Sequence, residues 1–157
     1  MKQAILTTVI IALMGCGNEK VEQASAPLAG SPAIDAAIRK AADKPQGELA
    51  KADLEKVKEL AIPYSKLTDI SALADLPQLQ ILDLGYNQIT DVSALKEITQ
   101  LEELSLRENQ LTDVSPLAGL DRLKVLDLYG NANLSLAKIA ALQESLPKCR
   151  IDHNAEK

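Results

Sequence analysis

At 157 residues the chain has room for one domain and little more. Three Tyr and no Phe or Trp argue against a globule of stacked sheets, which fills its core with rings, and favour a narrow slot packed with Leu, Ile and Val. A net charge of −5 with no clustered Lys or Arg excludes a nucleic-acid surface, where phosphate contacts are led by basic residues.

Residues 1–15 place Lys2 ahead of an apolar run from Ala4 to Met14 and end on Gly15, immediately before Cys16. That order reads as an export signal rather than as part of the fold. The run is about 11 residues against about 20 for a spanning helix, so a permanent transmembrane segment is disfavoured. Leu13-Met14-Gly15-Cys16 resembles the bacterial lipoprotein box, which implies that Cys16 is lipidated and begins the mature protein. An ordinary signal followed by a coincidental Cys is the alternative. In that family an Asp after the Cys goes with inner-membrane retention; Gly17 stands here, which implies the outer membrane if the source is Gram-negative. Residues 16–33 are rich in Ala, Ser, Pro, Gly and charge without periodicity, and read as a lipidated Cys followed by a flexible tether spanning about 20–25 Å.

Residues 34–56 read as a helical cap. Ser31-Pro32 offers an N-cap followed by Pro at the first helical position, and Ile34, Ala37, Ile38 and Ala41 recur at helical spacing, so one helix is expected to about Asp43. Lys44-Pro45-Gln46-Gly47 breaks it, and Leu49, Leu54, Val57 and Leu60 suggest a second short helix over 49–59.

From Val57 the chain becomes periodic. LQILDLGYN at Leu79 returns as LEELSLREN at Leu101 and LKVLDLYGN at Leu123, in steps of 22 residues. In units beginning at Val57, Leu79, Leu101 and Leu123, apolar residues recur at the same seven offsets, and the frame breaks only at Asn133, beside Leu134. Leu79, Leu82, Leu84 and Asn87 fit the leucine-rich-repeat pattern, in which each unit supplies a short strand and a return turn. The expected fold is an α/β solenoid, with repeats over 57–134, parallel strands on the concave face, and helical caps at both ends.

Side-chain columns follow from this stacking. Asn87, Asn109 and Asn131 form one, preceded by Ser65, and are expected to point inward and satisfy backbone groups of the turns. Asp69, Asp91 and Asp113 form another, each after a Thr and two residues before a Ser, where they are expected to cap convex-side turns; a calcium ladder is the alternative. Residues 135–157 form the closing cap, with Ser135 ahead of a helix to about Ser145, Leu146-Pro147 ending it, and Cys149 and Ile151 beyond.

IDAAIRKAADKPQGELAKADLEKVKEL, running into ITDVSAL and LTDVSPLAGL, resembles the internalin-type leucine-rich-repeat family of bacterial surface proteins over about residues 33–151. LPKCRI resembles the closing segment of those proteins. Ala50 departs from the capping Thr common there, which implies a frayed second helix.

Catalytic machinery is not apparent. Cys149 and the single His153 could be ligands or a nucleophile and its base, but no third group accompanies them, and a small core Cys is the plainer reading. No phosphate-cradling Gly-rich loop, nucleophile elbow or paired-His motif appears, so no enzyme, cofactor or metal is expected. Binding is the remaining class. Strand alternation turns Glu59, Ile81, Asp83, Glu103, Ser105, Val125 and Asp127 outward onto the concave face. Tyr64, Tyr86, Arg107 and Tyr129 fall on that face or its rim, and Tyr and Arg are the residue types in which binding energy concentrates. The candidate site is therefore Tyr64, Asp83, Tyr86, Arg107, Asp127 and Tyr129, for a protein or extended peptide. A structural or self-associating envelope module without a specific ligand is the competing expectation.

Overall fold

A computed structural model describes residues 31–155. The expected export signal, Cys16 and the expected tether as far as Gly30 lie outside the described residues, and Pro32 and Ala33, expected at the end of that tether, already belong to the first helix. Two short helices, α1 (Pro32–Ala41) and α2 (Lys51–Leu54), lead into strands β1 (Glu59–Ala61), β2 (Ile81–Asp83), β3 (Glu103–Ser105) and β4 (Val125–Asp127); helix α3 (Leu136–Ser145) and strand β5 (Arg150–Asp152) close the chain. Among the described residues all strands are parallel and lie in sequence order in one open sheet, with Leu60, Leu82, Leu104, Leu126 and Ile151 in register. Between successive strands the chain returns along the convex side through 3-10 helices at Ser71–Asp75, Ser93–Glu97 and Ser115–Gly119.

This is a solenoid because no single unit can bury its own apolar face, whereas stacked units share one continuous slot. Leu82, Leu84, Ile89, Val92, Leu95 and Ile98 of the second unit are buried, as are their counterparts in the units on either side. At the break in the frame, Asn133 faces solvent and Leu134 takes the buried place. Leu136, a position of the apolar frame, is only half-buried, since α3 has replaced the narrower 3-10 turn there.

The array ends differ from expectation in four places. Helix α1 is capped as foreseen, with Ser31 Oγ accepting the Ala33 N–H at 3.2 Å, but it stops at Ala41, and Asp43 adopts a left-handed φ of 53° to reverse the chain. The second helix is a single turn rather than residues 49–59. Ala50 has no side-chain oxygen with which to cap it, and the segment from Glu59 is drawn into β1; Asp53 Oδ2 accepts the Ala50 N–H at 3.0 Å in partial compensation. Ser135 occupies the N-cap of α3 with its backbone carbonyl accepting from Lys138 and Ile139, but its hydroxyl makes no cap bond. Beyond α3, β5 adds a fifth strand where only a closing tail was expected, because Cys149 and Ile151 bring the apolar slot one layer further.

Candidate functional site

The Asn column fixes how the chain leaves each strand. Asn87 Oδ1 accepts the N–H groups of Ser65 and Leu67, both at 3.0 Å, while its amide donates to the carbonyls of Ile62 and Leu84 at 2.9 Å. Asn109 repeats this one layer on, accepting from Ile89 and donating to Leu84 and Leu106, each at 3.0 Å. Asn131 accepts from Leu111 and donates to Leu106 and Leu128. Each amide thus ties its own turn to the previous one.

With the turns tied down, the residue before each Asn, and before Ser65 at the same offset of the first unit, takes the left-handed region: φ is 55° at Tyr64, 58° at Tyr86, 52° at Glu108 and 80° at Gly130. A bulky side chain in that region costs about 1–2 kcal/mol and persists only where its surroundings dictate it. The last turn uses Gly, and a Cβ on Gly130 would lie 2.5 Å from the Glu108 carboxyl carbon. The backbone therefore presents Tyr64 and Tyr86 side by side at the rim where β1 and β2 end.

The two rings stack, with centroids 4.4 Å apart and planes 12° from parallel. Arg107 Nε donates to the Tyr86 hydroxyl at 3.2 Å, and the Arg107 guanidinium carbon lies 4.4 Å from the centre of the Tyr129 ring. Tyr64, Tyr86, Arg107 and Tyr129 thus form one unbroken ridge across four strands. The ridge is not core: Tyr64 is 70% exposed, and Tyr86 and Tyr129 are 41% exposed. Hydrogen bonding to Tyr86, before any ionic contact, raises the already high pKa of Arg107, so its charge is permanent. Partial desolvation, and then neighbouring Tyr86, push the Tyr64 phenol above its ordinary value.

Asp83 and Asp127 flank the ridge half-buried. Each accepts a backbone N–H two residues on, Asp83 Oδ1 from Gly85 and Asp127 Oδ1 from Tyr129, both at 2.9 Å. The second oxygen of Asp127 lies 3.8 Å from Arg107 Nη1, so that carboxylate is partly neutralised within the site. Sequence spacing could place the six residues on one face, but it had no means of showing this pairing. It also turned Glu59, Ile81, Glu103 and Val125 onto this face without including them in the candidate site, although acid and aliphatic side chains alternate down their column.

Other candidates sit elsewhere. Asp69, Asp91 and Asp113 stand on the convex side, each with Oδ1 accepting the N–H of Ser71, Ser93 or Ser115 at 2.8, 2.8 and 3.3 Å. Those serine hydrogen bonds hold all three carboxyls below the usual range. Among the described residues no three His, Cys, Asp or Glu side chains come together as an ion cage. A shallow depression on that side is lined by Thr68, Asp69, Ser71, Asp91, Ser93 and Lys96. Cys149 is 5% exposed within the core, and burial pushes its thiol up, away from the thiolate a nucleophile needs; His153 is exposed.

The profile for leucine-rich repeats in two copies matches residues 55–97 and 99–144. Among solved structures, internalin C2 of Listeria monocytogenes is 29% identical, with a TM-score of 0.63 over 80% of this chain and 66% of that one. A second internalin of that organism, InlF, is 27% identical at a TM-score of 0.62, over 80% of this chain and 44% of its own. A leucine-rich-repeat protein of Leptospira interrogans is 26% identical at 0.58, over 67% of this chain and 28% of its own. The chain thus spans less than two thirds of the length of each of the three. No curated protein sequence matches it. With five parallel strands, an inward Asn column and a repeat profile covering most of the array, the chain belongs to the leucine-rich repeat family.

Proposed function

We propose that this leucine-rich-repeat protein works by binding a protein segment along its concave face, with Tyr86, Arg107 and Tyr129 as anchors and Tyr64 extending the ridge. The observation that carries this reading is the ridge itself, four side chains in mutual contact, two of them, Tyr64 and Tyr86, presented by left-handed turns. Anchors already held in one geometry lose little entropy on binding, so more of their contact energy appears as affinity. Four strands about 4.8 Å apart present only a few hundred Å², below the roughly 800 Å² per partner of a standard interface. The partner is therefore an extended peptide or loop, bound at about micromolar affinity. Lipidation of Cys16 would hold the domain at a membrane of the cell envelope, the outer membrane in a Gram-negative source, where tethering both partners offsets the weak solution affinity.

Peptides selected from a random display library on the full chain test this directly. Their affinity falls at least about tenfold in Tyr86→Ala with Arg107→Ala and is unchanged in Gln88→Ala with Lys96→Ala. The reverse pattern would move the site to the convex side.

A further inference from the structure

We infer that the concave face is built for a polyproline-II peptide carrying Lys or Arg at every third position, lying along the solenoid axis across the strands. The inference rests on the concave-face reading above and identifies the chemistry of its ligand.

Charge comes first. Both arginines displayed on the sheet are taken, Arg107 by Asp127 at 3.8 Å and Arg150 by Asp152 at 2.9 Å. Glu59 and Glu103 are exposed and, like Asp83, have no Lys or Arg partner within ion-pair distance among the described residues. The face therefore offers unneutralised carboxylates to a cationic ligand.

Spacing decides the ligand's conformation. In register across the sheet stand Glu59, Ile81, Glu103 and Val125, an acid alternating with an aliphatic side chain, with Ile81 37% exposed. In the next outward column the acids shift by one strand, to Asp83 and Asp127, with Ser105 between them. Over β1–β4 the two acids of each column are therefore two strands apart, about 9.6 Å, and β5 ends both alternations with Arg150 and Asp152. An extended strand returns the same face every 6.6–6.8 Å or so, and an α-helix rises about 5.4 Å per turn, so neither keeps step. A polyproline-II helix returns every third residue after about 9.3 Å, a slip of about 0.3 Å per turn.

The backbone agrees. Groups of the sheet are already committed to ladder bonds, so a ligand crossing the strands finds few main-chain partners. A polyproline-II ligand needs none, since its carbonyls stay solvated by water and its prolines have no N–H to satisfy. With cations over Glu59 and Glu103, the two residues between them straddle Ile81.

The test compares two fluorescent nonapeptides of identical composition by anisotropy against the full chain. One repeats Pro-Pro-Arg; the other has the sequence Pro-Arg-Arg-Pro-Pro-Pro-Arg-Pro-Pro. The periodic peptide is expected to bind about tenfold more tightly, and Glu59→Gln with Glu103→Gln, both on the surface, to abolish that preference. Equal affinity for the two peptides overturns the inference, as does a preference that survives the double variant or the failure of both peptides to bind. Equal affinities that both vanish in Tyr86→Ala with Arg107→Ala would remove the register argument while leaving the concave site in place.

Discussion

Replacing the three ladder asparagines by Ala should not cost the same at each position, and the order follows from which backbone groups lose their last partner. In Asn109→Ala the carbonyl of Leu84 keeps the Asn87 amide and that of Leu106 keeps the Asn131 amide, so only the Ile89 N–H is stranded. In Asn131→Ala the Leu111 N–H and the Leu128 carbonyl both lose their partner. In Asn87→Ala the N–H groups of Ser65 and Leu67 and the carbonyl of Ile62 all do, since no Asn lies upstream to share them. A stranded buried group costs about 1–3 kcal/mol. The expected losses are about 1–3 kcal/mol for Asn109→Ala, about 2–4 for Asn131→Ala and about 3–5 for Asn87→Ala, allowing for non-additivity and for water reaching the half-buried Ser65 turn. Urea unfolding followed by circular dichroism and by tyrosine fluorescence reads these values, with coincident transitions marking a single cooperative unit. Exposed Gln88→Ala serves as the control and should change the midpoint little. An Asn109→Ala variant as unstable as Asn87→Ala would refute the sharing argument, and one as stable as the control would refute the ladder.

At the N-terminal cap, the Lys44 ammonium at 2.6 Å, then the Ala50 N–H, hold Asp53 at a pKa of about 2 against an ordinary 3.8. A carboxyl depressed on folding contributes stability that is present above about pH 3.8 and lost as pH falls toward 2, so the gap in urea midpoint between wild type and Asp53→Asn should close over that window; a gap constant down to pH 2 would contradict the assignment. For the proposed anchor, Cys16→Ser should move the protein from the membrane to the soluble envelope fraction, because each buried lipid methylene contributes about 0.8 kcal/mol and several acyl chains anchor stably. Unchanged partitioning on flotation would sink the lipoprotein reading.

The repeats were legible because each offset is a column, and a column constrains every member alike. Leu at the strand and Asn at the turn recur since the same slot and the same orphaned backbone groups recur in each layer. Legibility ended where that repetition did. Strand β5 was hidden because α3 lengthens the return path, so Leu126 pairs with Ile151, 25 residues on, and not with a residue in the 22-step frame. The second helix was overread since Leu49, Leu54 and Val57 fit a helical face while the missing cap at Ala50 left no start for it. At the proposed site, alternation put the six residues on one face but carried nothing about their contacts. That Arg107 bridges the Tyr86 hydroxyl and the Tyr129 ring depends on rotamers and on left-handed turns, for which spacing carries no signal.

The central claim is that the concave ridge meets the partner, and site-specific photocrosslinking in intact cells tests it most directly. A benzophenone side chain placed at Tyr129, on the exposed end of the ridge, and in a separate strain at Lys96 on the convex side, would be irradiated and the adducts identified by mass spectrometry. The account predicts a discrete adduct from position 129 that maps to an extended segment of one envelope protein, and none from position 96. A discrete adduct from position 96 with none from position 129 would contradict it.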